Sequence, residues 1–241
     1  MIDGKSLLAV IPARGGSKGV PRKNILELHG KPVISYTIEA AKNSKIIDHT
    51  VVSTDDQRIA EISAGYQGVE VIMRPSKYAT DDAPIELAIR HAIKEVEKNG
   101  RRVDIVVLLY ANVPVRKKGV IERAVRKLVT SGADSVQSYA PYETPPFWAC
   151  KFEGDKVALV NPKYKYAYRR QLLPKTYYPD GAVVAVLSKV LKENEGASDG
   201  NALLGSDRRG IIQAPEDTVD VDEPIDLIWA EFLIERLKKM E

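Results

Sequence analysis

Short continuous apolar runs alternate along this chain with stretches in which apolar residues recur every three or four positions. Leu7–Ile11, Thr50–Thr54, Val69–Ile72 and Ile105–Leu109 are such runs, rich in β-branched side chains. They read as strands buried on both faces. Between them, Pro32–Asn43 puts proline in a first helical turn and Ile34, Ile38 and Ala41 on one face. Gln57–Tyr66, Ala83–Lys98 and Lys117–Thr130 follow the same period. The stripe of the Ala83–Lys98 helix is Ile85, Ala88, Ile89, Ala92, Ile93 and Val96; that of the Lys117–Thr130 helix is Val120, Ile121, Ala124, Val125 and Leu128. Strand-helix alternation predicts an α/β fold with a mainly parallel sheet, whose ligands bind at the carboxyl ends of the strands.

The pattern breaks from Ser138 to Pro179, a segment rich in tyrosine and proline. It reads as an excursion from the sheet, with strands near Phe147–Phe152 and a long ordered loop. The run Ala182–Leu187 returns to the sheet. A closing helix, Glu223–Lys239, carries Ile225, Ile228, Trp229, Phe232 and Leu233. The expected organisation is one domain over residues 1–241, with the excursion spanning 140–180.

Composition narrows the class. A hydrophobic share of 44% and a charged share of 29% exclude disorder as the main state. Lys and Arg number 36 against 33 Asp and Glu, a net +3 too balanced to argue for nucleic acid or a membrane surface. No apolar run approaches the roughly 20 residues that span a bilayer. Cys150 is the one cysteine, which excludes a disulfide framework and a cysteine-based zinc site. Asp3 and Lys5 precede the first apolar run in place of a secretory signal, so the expected location is the cytoplasm.

The candidate chemistry follows strand ends. The first strand runs into Pro12-Ala13-Arg14-Gly15-Gly16-Ser17-Lys18-Gly19-Val20-Pro21-Arg22-Lys23-Asn24. Its glycines allow close backbone approach, their N–H groups can cradle an anion, and Arg14, Lys18, Arg22 and Lys23 add charge for several phosphates. The spacing is neither that of a Walker loop nor that of the dinucleotide fingerprint. Asp220 and Asp222 are two apart, so on an extended segment they share a face. Arg169 and Arg170 could grip a carboxylate in bidentate fashion.

Taken in order, these motifs resemble the acylneuraminate cytidylyltransferases, the CMP-sialic acid synthetases and their relatives for other nonulosonic acids. The resemblance starts in the Pro12–Asn24 run and Gly30-Lys31-Pro32. It continues through Ser53-Thr54-Asp55-Asp56, Arg74-Pro75, Thr80-Asp81 and Arg170-Gln171-Leu172-Leu173-Pro174, and closes with Pro179-Asp180-Gly181-Ala182 and Asp220-Val221-Asp222. It implies a Rossmann-like nucleotide-diphospho-sugar transferase fold with a small dimerisation excursion, and a homodimer. The implied reaction is transfer of CMP from CTP to the anomeric hydroxyl of an acidic sugar, with release of pyrophosphate. Arg14, Gly15, Gly16, Ser17, Lys18 and Lys23 would hold the triphosphate, and Asn24, Arg74 and the backbone near Ala83 would surround cytosine and ribose. Arg170 and Gln171 would help bind the substrates. Asp220 and Asp222 would hold Mg²⁺, which favours oxygen ligands and takes one or two carboxylates plus phosphate oxygens. Arg14, Lys23 and Asp222 are the expected catalytic groups.

The chain departs from the sialate pattern at Leu109-Tyr110-Ala111-Asn112-Val113-Pro114-Val115-Arg116, where those enzymes read Leu-Gln-Pro-Thr-Ser-Pro-Leu-Arg. Tyr110 and Asn112 then become expected sugar contacts, and the lost hydroxyls point to a sugar other than sialic acid. Trp148 replaces a lysine of the sialate enzymes and could stack on a sugar. The alternatives are a nucleotidyltransferase for another sugar or sugar phosphate, and a binding protein that has lost turnover.

Overall fold

A computed structural model describes residues 2–16, 19–195 and 201–239. In chain order its strands are β1 (Leu7–Pro12), β2 (Glu27–Leu28), β3 (Lys31–Pro32), β4 (His49–Thr54), β5 (Val69–Met73), β6 (Ile105–Leu108), β7 (Val115–Arg116), β8 (Ser135–Pro141), β9 (Cys150–Glu153), β10 (Lys156–Leu159), β11 (Tyr177–Leu187), β12 (Arg208–Ile212) and β13 (Thr218–Val219). The α-helices are α1 (Val33–Asn43), α2 (Gln57–Ala64), α3 (Ile85–Lys98), α4 (Val120–Ser131), α5 (Ser188–Glu193) and α6 (Pro224–Lys238).

Seven strands form the main sheet in the order β12-β8-β11-β6-β1-β4-β5. All neighbours are parallel except β11, which runs antiparallel to both β6 and β8. The apolar runs are continuous because each strand is covered on both faces. Within β1, Leu7, Ala9 and Ile11 pack with Ile34 and Ile38 of α1, Ile59 of α2 and Val125 and Leu128 of α4. Leu8 and Val10 point the other way, against Ile89, Ile93 and Val96 of α3 and Leu191 of α5. A third cluster seats α6 through Ala230, Leu233 and Ile234 on Leu28, Val115, Val219 and Val221. It holds the small β7–β13 ladder beside the carboxyl ends of the parallel strands.

Several expectations need correction. The returning strand begins at Tyr177 rather than Ala182 and runs antiparallel. Its pairing with β8 shifts register between Pro179 and Val184, so Asp180-Gly181-Ala182 sits on a bulge facing Ser138. Strand β8 escapes the apolar pattern because Ser135, Gln137 and Ser138 interrupt it. Ser138 is buried, and its Oγ donates to Asp180 Oδ1 at 2.5 Å and accepts from the Val183 N–H at 3.0 Å. In the excursion, Pro146–Trp148 forms a single 3₁₀ turn, and the strands there are the β9–β10 hairpin, which starts at Cys150. The last helix starts at Pro224, with Glu223 at its N-cap.

Ile89 is fully buried between α3 and the sheet. Ile89→Ala should lower unfolding free energy by about 2–5 kcal/mol, the range for a buried large-to-small change, read as a shift of the urea midpoint at unchanged slope.

Candidate active site

The loops after β1, β4 and β5 build one wall of a cleft. The Ala13 N–H donates to Ser53 O at 2.9 Å, which carries β1 into the glycine loop alongside β4. At the end of β4 the two aspartates divide. Asp56 caps α2 by accepting the Ile59 N–H at 2.9 Å, whereas Asp55 accepts the Gly15 N–H at 3.1 Å and lies 3.7 Å from an Arg74 guanidinium nitrogen. Arg74 follows β5, and its backbone N–H donates to Thr54 O at 2.8 Å. Its side chain is 5% exposed, and its Nε has no hydrogen-bond partner. Burial depresses its pKa; Asp55 opposes that shift and nearby Arg14 adds to it. A buried, incompletely paired guanidinium is poised for an anionic or carbonyl-bearing ligand.

Arg14 reaches from the glycine loop to Asp81 at 2.6 Å, and Asn24 Nδ2 ties the loop by donating to Arg14 O at 3.1 Å. Together with Lys23 and Ala83 these residues border a cleft of about 430 Å³. Its far rim is Asn112 and Asp222.

The carboxylate rim is set by strand geometry. Val221 is buried in the cluster beneath α6, so its neighbours Asp220 and Asp222 project from the opposite side of the chain. Asn112 binds this segment twice. Its carbonyl accepts the Val221 N–H at 2.9 Å, and its Nδ2 donates to Val221 O at 3.1 Å. The same amide nitrogen donates to Asp220 Oδ1 and lies 3.4 Å from Asp222 Oδ1. Both carboxylates therefore lie within reach of one nitrogen. Lys23 Nζ pairs with Asp222 Oδ1. A Cβ on Gly19 would overlap the Asp222 carbonyl oxygen, so only glycine lets the loop close on this rim.

Asp220 reaches solvent along one edge, but protein packed around its carboxyl and then the Asp222 charge push its pKa up to about 6. Lys23 works in the opposite direction. Among the described residues no group of three His, Cys, Asp or Glu side chains is placed to hold a metal. A cation at this rim would take two carboxylates and draw its other ligands from substrate and water, a set that suits Mg²⁺.

Of the residues expected from sequence, the fold brings Arg14, Lys23, Asn24, Arg74, Ala83, Asn112 and Asp222 to one cleft. Gly15 and Gly16 lie on the loop beside it, and Ser17 and Lys18 fall outside the described residues. Tyr110 packs against the core cluster beneath α3, where burial raises its pKa, and it borders neither this cleft nor the next. Arg170 and Gln171 sit on a turn of the excursion and border neither, with Arg170 donating to Tyr142 O at 3.2 Å. Trp148 is tied down within the excursion, its indole N–H donating to Ala167 O at 2.5 Å.

Asp220 opens instead on a second cavity of about 830 Å³, bordered by Glu143, Tyr178, Asp180, Glu216, Asp226 and Trp229. Sequence reading missed it because its walls come from β11, the segment before β13, the root of the excursion and α6. Its one local sign was Trp229 on the helix that follows the aspartates.

Arg14, Arg74 and Lys23 grouped in one cleft with Asp222 on its rim suit group transfer at a nucleoside phosphate. The chain belongs to the cytidylyltransferase family, whose profile matches residues 8–190. It is 32% identical over 228 residues to the pseudaminic acid cytidylyltransferase of Campylobacter jejuni, covering 94% of this chain and 95% of that one. It is 31% identical over 231 residues to the CMP-N,N'-diacetyllegionaminic acid synthase of Legionella pneumophila, covering 95% and 96%. A CMP:2-keto-3-deoxy-manno-octonic acid synthetase complexed with CTP shares the fold with a TM-score of 0.72 at 19% identity, over 97% of this chain and 100% of that one. The expected resemblance to the acylneuraminate cytidylyltransferases is borne out over nearly the whole chain.

The raised Asp220 pKa has a stability consequence. The folded value of about 6 lies above the ordinary 3.8, so between these values the native state keeps a proton that the unfolded chain has lost. Stability from this group falls as pH rises through that window and levels above it. Asp220→Asn lacks this loss. In EDTA its melting temperature should gain on the native protein from pH 4 to pH 6 and keep the gain at pH 7.5; parallel curves would contradict the shift.

Proposed function

We propose that this protein is a CTP-dependent nucleotidyltransferase that moves CMP from CTP to an acidic sugar of the nonulosonic class and releases pyrophosphate. The observation that carries the reading is a single cleft with Arg14, Arg74 and Lys23 on one wall and Asp222 on its rim, where Asn112 clamps Asp222 to the Asp220 of the adjoining cavity. Two relatives of matching length, named for pseudaminic and diacetyllegionaminic acids, support the choice of sugar class.

The sugar's anomeric hydroxyl attacks the α-phosphorus. A new O–P bond forms, the bond to the bridging oxygen of the β-phosphate breaks, and the hydroxyl proton passes to solvent. The protein's task is positioning and charge stabilisation. Arg14, Lys23 and the N–H groups of the glycine loop hold the triphosphate. Asn24, Arg74 and the backbone near Ala83 enclose base and ribose. Asp220 and Asp222 would hold Mg²⁺, which would withdraw charge from the phosphates when bound. The sugar enters from the second cavity, where Tyr178 and Trp229 offer apolar ring faces on the far side of Asp220.

We further propose a homodimer. The outer face of α6 exposes Ile225, Ile228, Trp229 and Phe232 at positions i, i+3, i+4 and i+7, while its inner face is already packed. The excursion exposes Phe152, Val157, Val160, Tyr166, Tyr168 and Leu172. Between 151 and 175 it carries Lys151, Lys156, Lys163, Lys165, Arg169, Arg170 and Lys175 against Glu153 and Asp155 alone. The cavity beside α6 is rimmed by carboxylates. Apolar and charge complementarity both favour the excursion of one copy on α6 of another, bringing cations toward an acidic sugar. We place the enzyme in the cytoplasm; among the described residues no helix is long and apolar enough to cross a membrane.

Thermal stabilisation by CTP with Mg²⁺ should exceed that by UTP, ATP or GTP, and pyrophosphate should form from CTP with pseudaminic or legionaminic acid but not with a sugar phosphate. Asp222→Asn should slow turnover roughly 100-fold or more, the scale of losing an electrostatic stabiliser of the transition state. Equal stabilisation by all four nucleotides, or no pyrophosphate with any acidic sugar, would defeat the assignment. By light scattering the native protein should have twice the chain mass and Phe232→Glu the mass of one chain; a monomeric native protein would remove the dimer.

A further inference from the structure

Arg116 lines neither cleft, yet protein encloses its guanidinium beside the carboxylate rim. It makes four hydrogen bonds. Nε donates to Ala182 O at 2.7 Å, Nη1 to Thr37 Oγ1 and Val113 O at 3.2 Å each, and Nη2 to Tyr110 O at 3.3 Å. None of these acceptors is a carboxylate. Burial draws its pKa down to about 10, with Asp180 and Asp220 opposing, so the charge persists at neutral pH.

These acceptors lie on the segments that frame Asp220. Tyr110 and Val113 bracket Asn112, whose amide holds Asp220 and Asp222. Ala182 follows Gly181, where a Cβ would stand 3.2 Å from Asp220 Oδ2. The backbone of Arg116 pairs with Thr218 in the ladder that leads into Asp220. Thr37 completes the knot, its hydroxyl lying 3.1 Å from Tyr110 O and 3.2 Å from Val113 O. One residue thus ties three segments together: its guanidinium fixes the strand-end loop to the β11 bulge, and its backbone pairs with the strand that leads into the aspartates.

We propose that Arg116 is a positioning residue for the transfer: its planar fork sets the spacing between the Asn112 loop and the β11 bulge, and so the geometry in which the two aspartates face the reacting phosphates. This rests on the transfer reading above. Lysine keeps the charge but cannot span four acceptors from a single ammonium. Nucleotide affinity is built elsewhere, on the loops after β1, β4 and β5.

The test compares the native protein with Arg116→Lys and Thr37→Val by pyrophosphate release from CTP and legionaminic or pseudaminic acid, by CTP calorimetry and by amide hydrogen exchange. Arg116→Lys should lower kcat about 10- to 100-fold with the CTP dissociation constant within about twofold, the signature of misplacement rather than lost binding. Exchange should rise at residues 110–113 and 218–222 and stay unchanged in the glycine loop. Thr37→Val should show a smaller effect of the same kind, and it carries the test if Arg116→Lys does not fold. Full turnover with unchanged exchange in the folded variants overturns the proposal, as does a parallel loss of kcat, CTP affinity and melting temperature. A native protein without turnover refutes the transfer reading separately, because the exchange pattern still reports whether Arg116 holds the two segments.

Discussion

Two like charges held on one side of a short extended segment form the constraint around which the rest of this structure is arranged. Asp220 and Asp222 cannot move apart, because Val221 between them is anchored under α6. Their repulsion is met by Lys23 on one carboxylate and a shared amide from Asn112. The tolerance is incomplete: burial first, and then the neighbouring Asp222 charge, raise the Asp220 pKa. A site left partly unrelieved in this way favours whatever brings positive charge to it, which gives binding a driving force built in during folding.

The fold separates that acidic rim from its cationic counterpart. Arg14, Arg74 and Lys23 come from loops that follow β1, β5 and the glycine turn, all on one half of the sheet. The aspartates and the carboxylate-lined cavity come from β13, β11 and α6 on the other half. On the proposed reading the reacting atoms meet where these two groups adjoin, at the carboxyl ends of parallel strands. Two cations cross this division: Lys23, which pairs with Asp222, and Arg116. Arg116 puts a positive charge behind the acidic half and spends its hydrogen bonds on three backbone carbonyls and the Thr37 hydroxyl.

What could be read from sequence followed from the range of the physics involved. Strands such as Leu7–Pro12 announce themselves because burial on both faces demands an unbroken apolar run, and the Asp-x-Asp spacing follows from the pleat alone. Strand β8 was illegible because its buried Ser138 is satisfied by Asp180 and Val183, some forty residues away. The reversed direction of β11 left no trace in composition. That Arg14, Lys23 and Asp222 would meet was legible because charge near a strand end is a local signal, whereas Arg74 was expected only from the family resemblance. Tyr110 was expected at the sugar but packs inward, because an aromatic ring beside a core of leucine and valine gains more from burial than from exposure. Arg116 stayed hidden as a role because three of its four partners are carbonyls, which every residue possesses.

The excursion leaves the sheet at Tyr142 and returns at Thr176, and the Tyr142 N–H closes its neck on Thr176 O at 3.1 Å. Below the neck, β8 and β11 are zipped together from Pro141 and Tyr177 onward. The entropy of closing such a loop grows only with the logarithm of its length, so insertions and exchanges above the neck cost the sheet little. Glu143 and Tyr178, at the neck itself, border the cavity beside Asp220. A lineage carrying this scaffold can therefore let the hanging segment drift and alter what enters that cavity while the loops after β1, β4 and β5 stay untouched. Innovation in the incoming molecule and preservation of the chemistry fall to different stretches of the same chain.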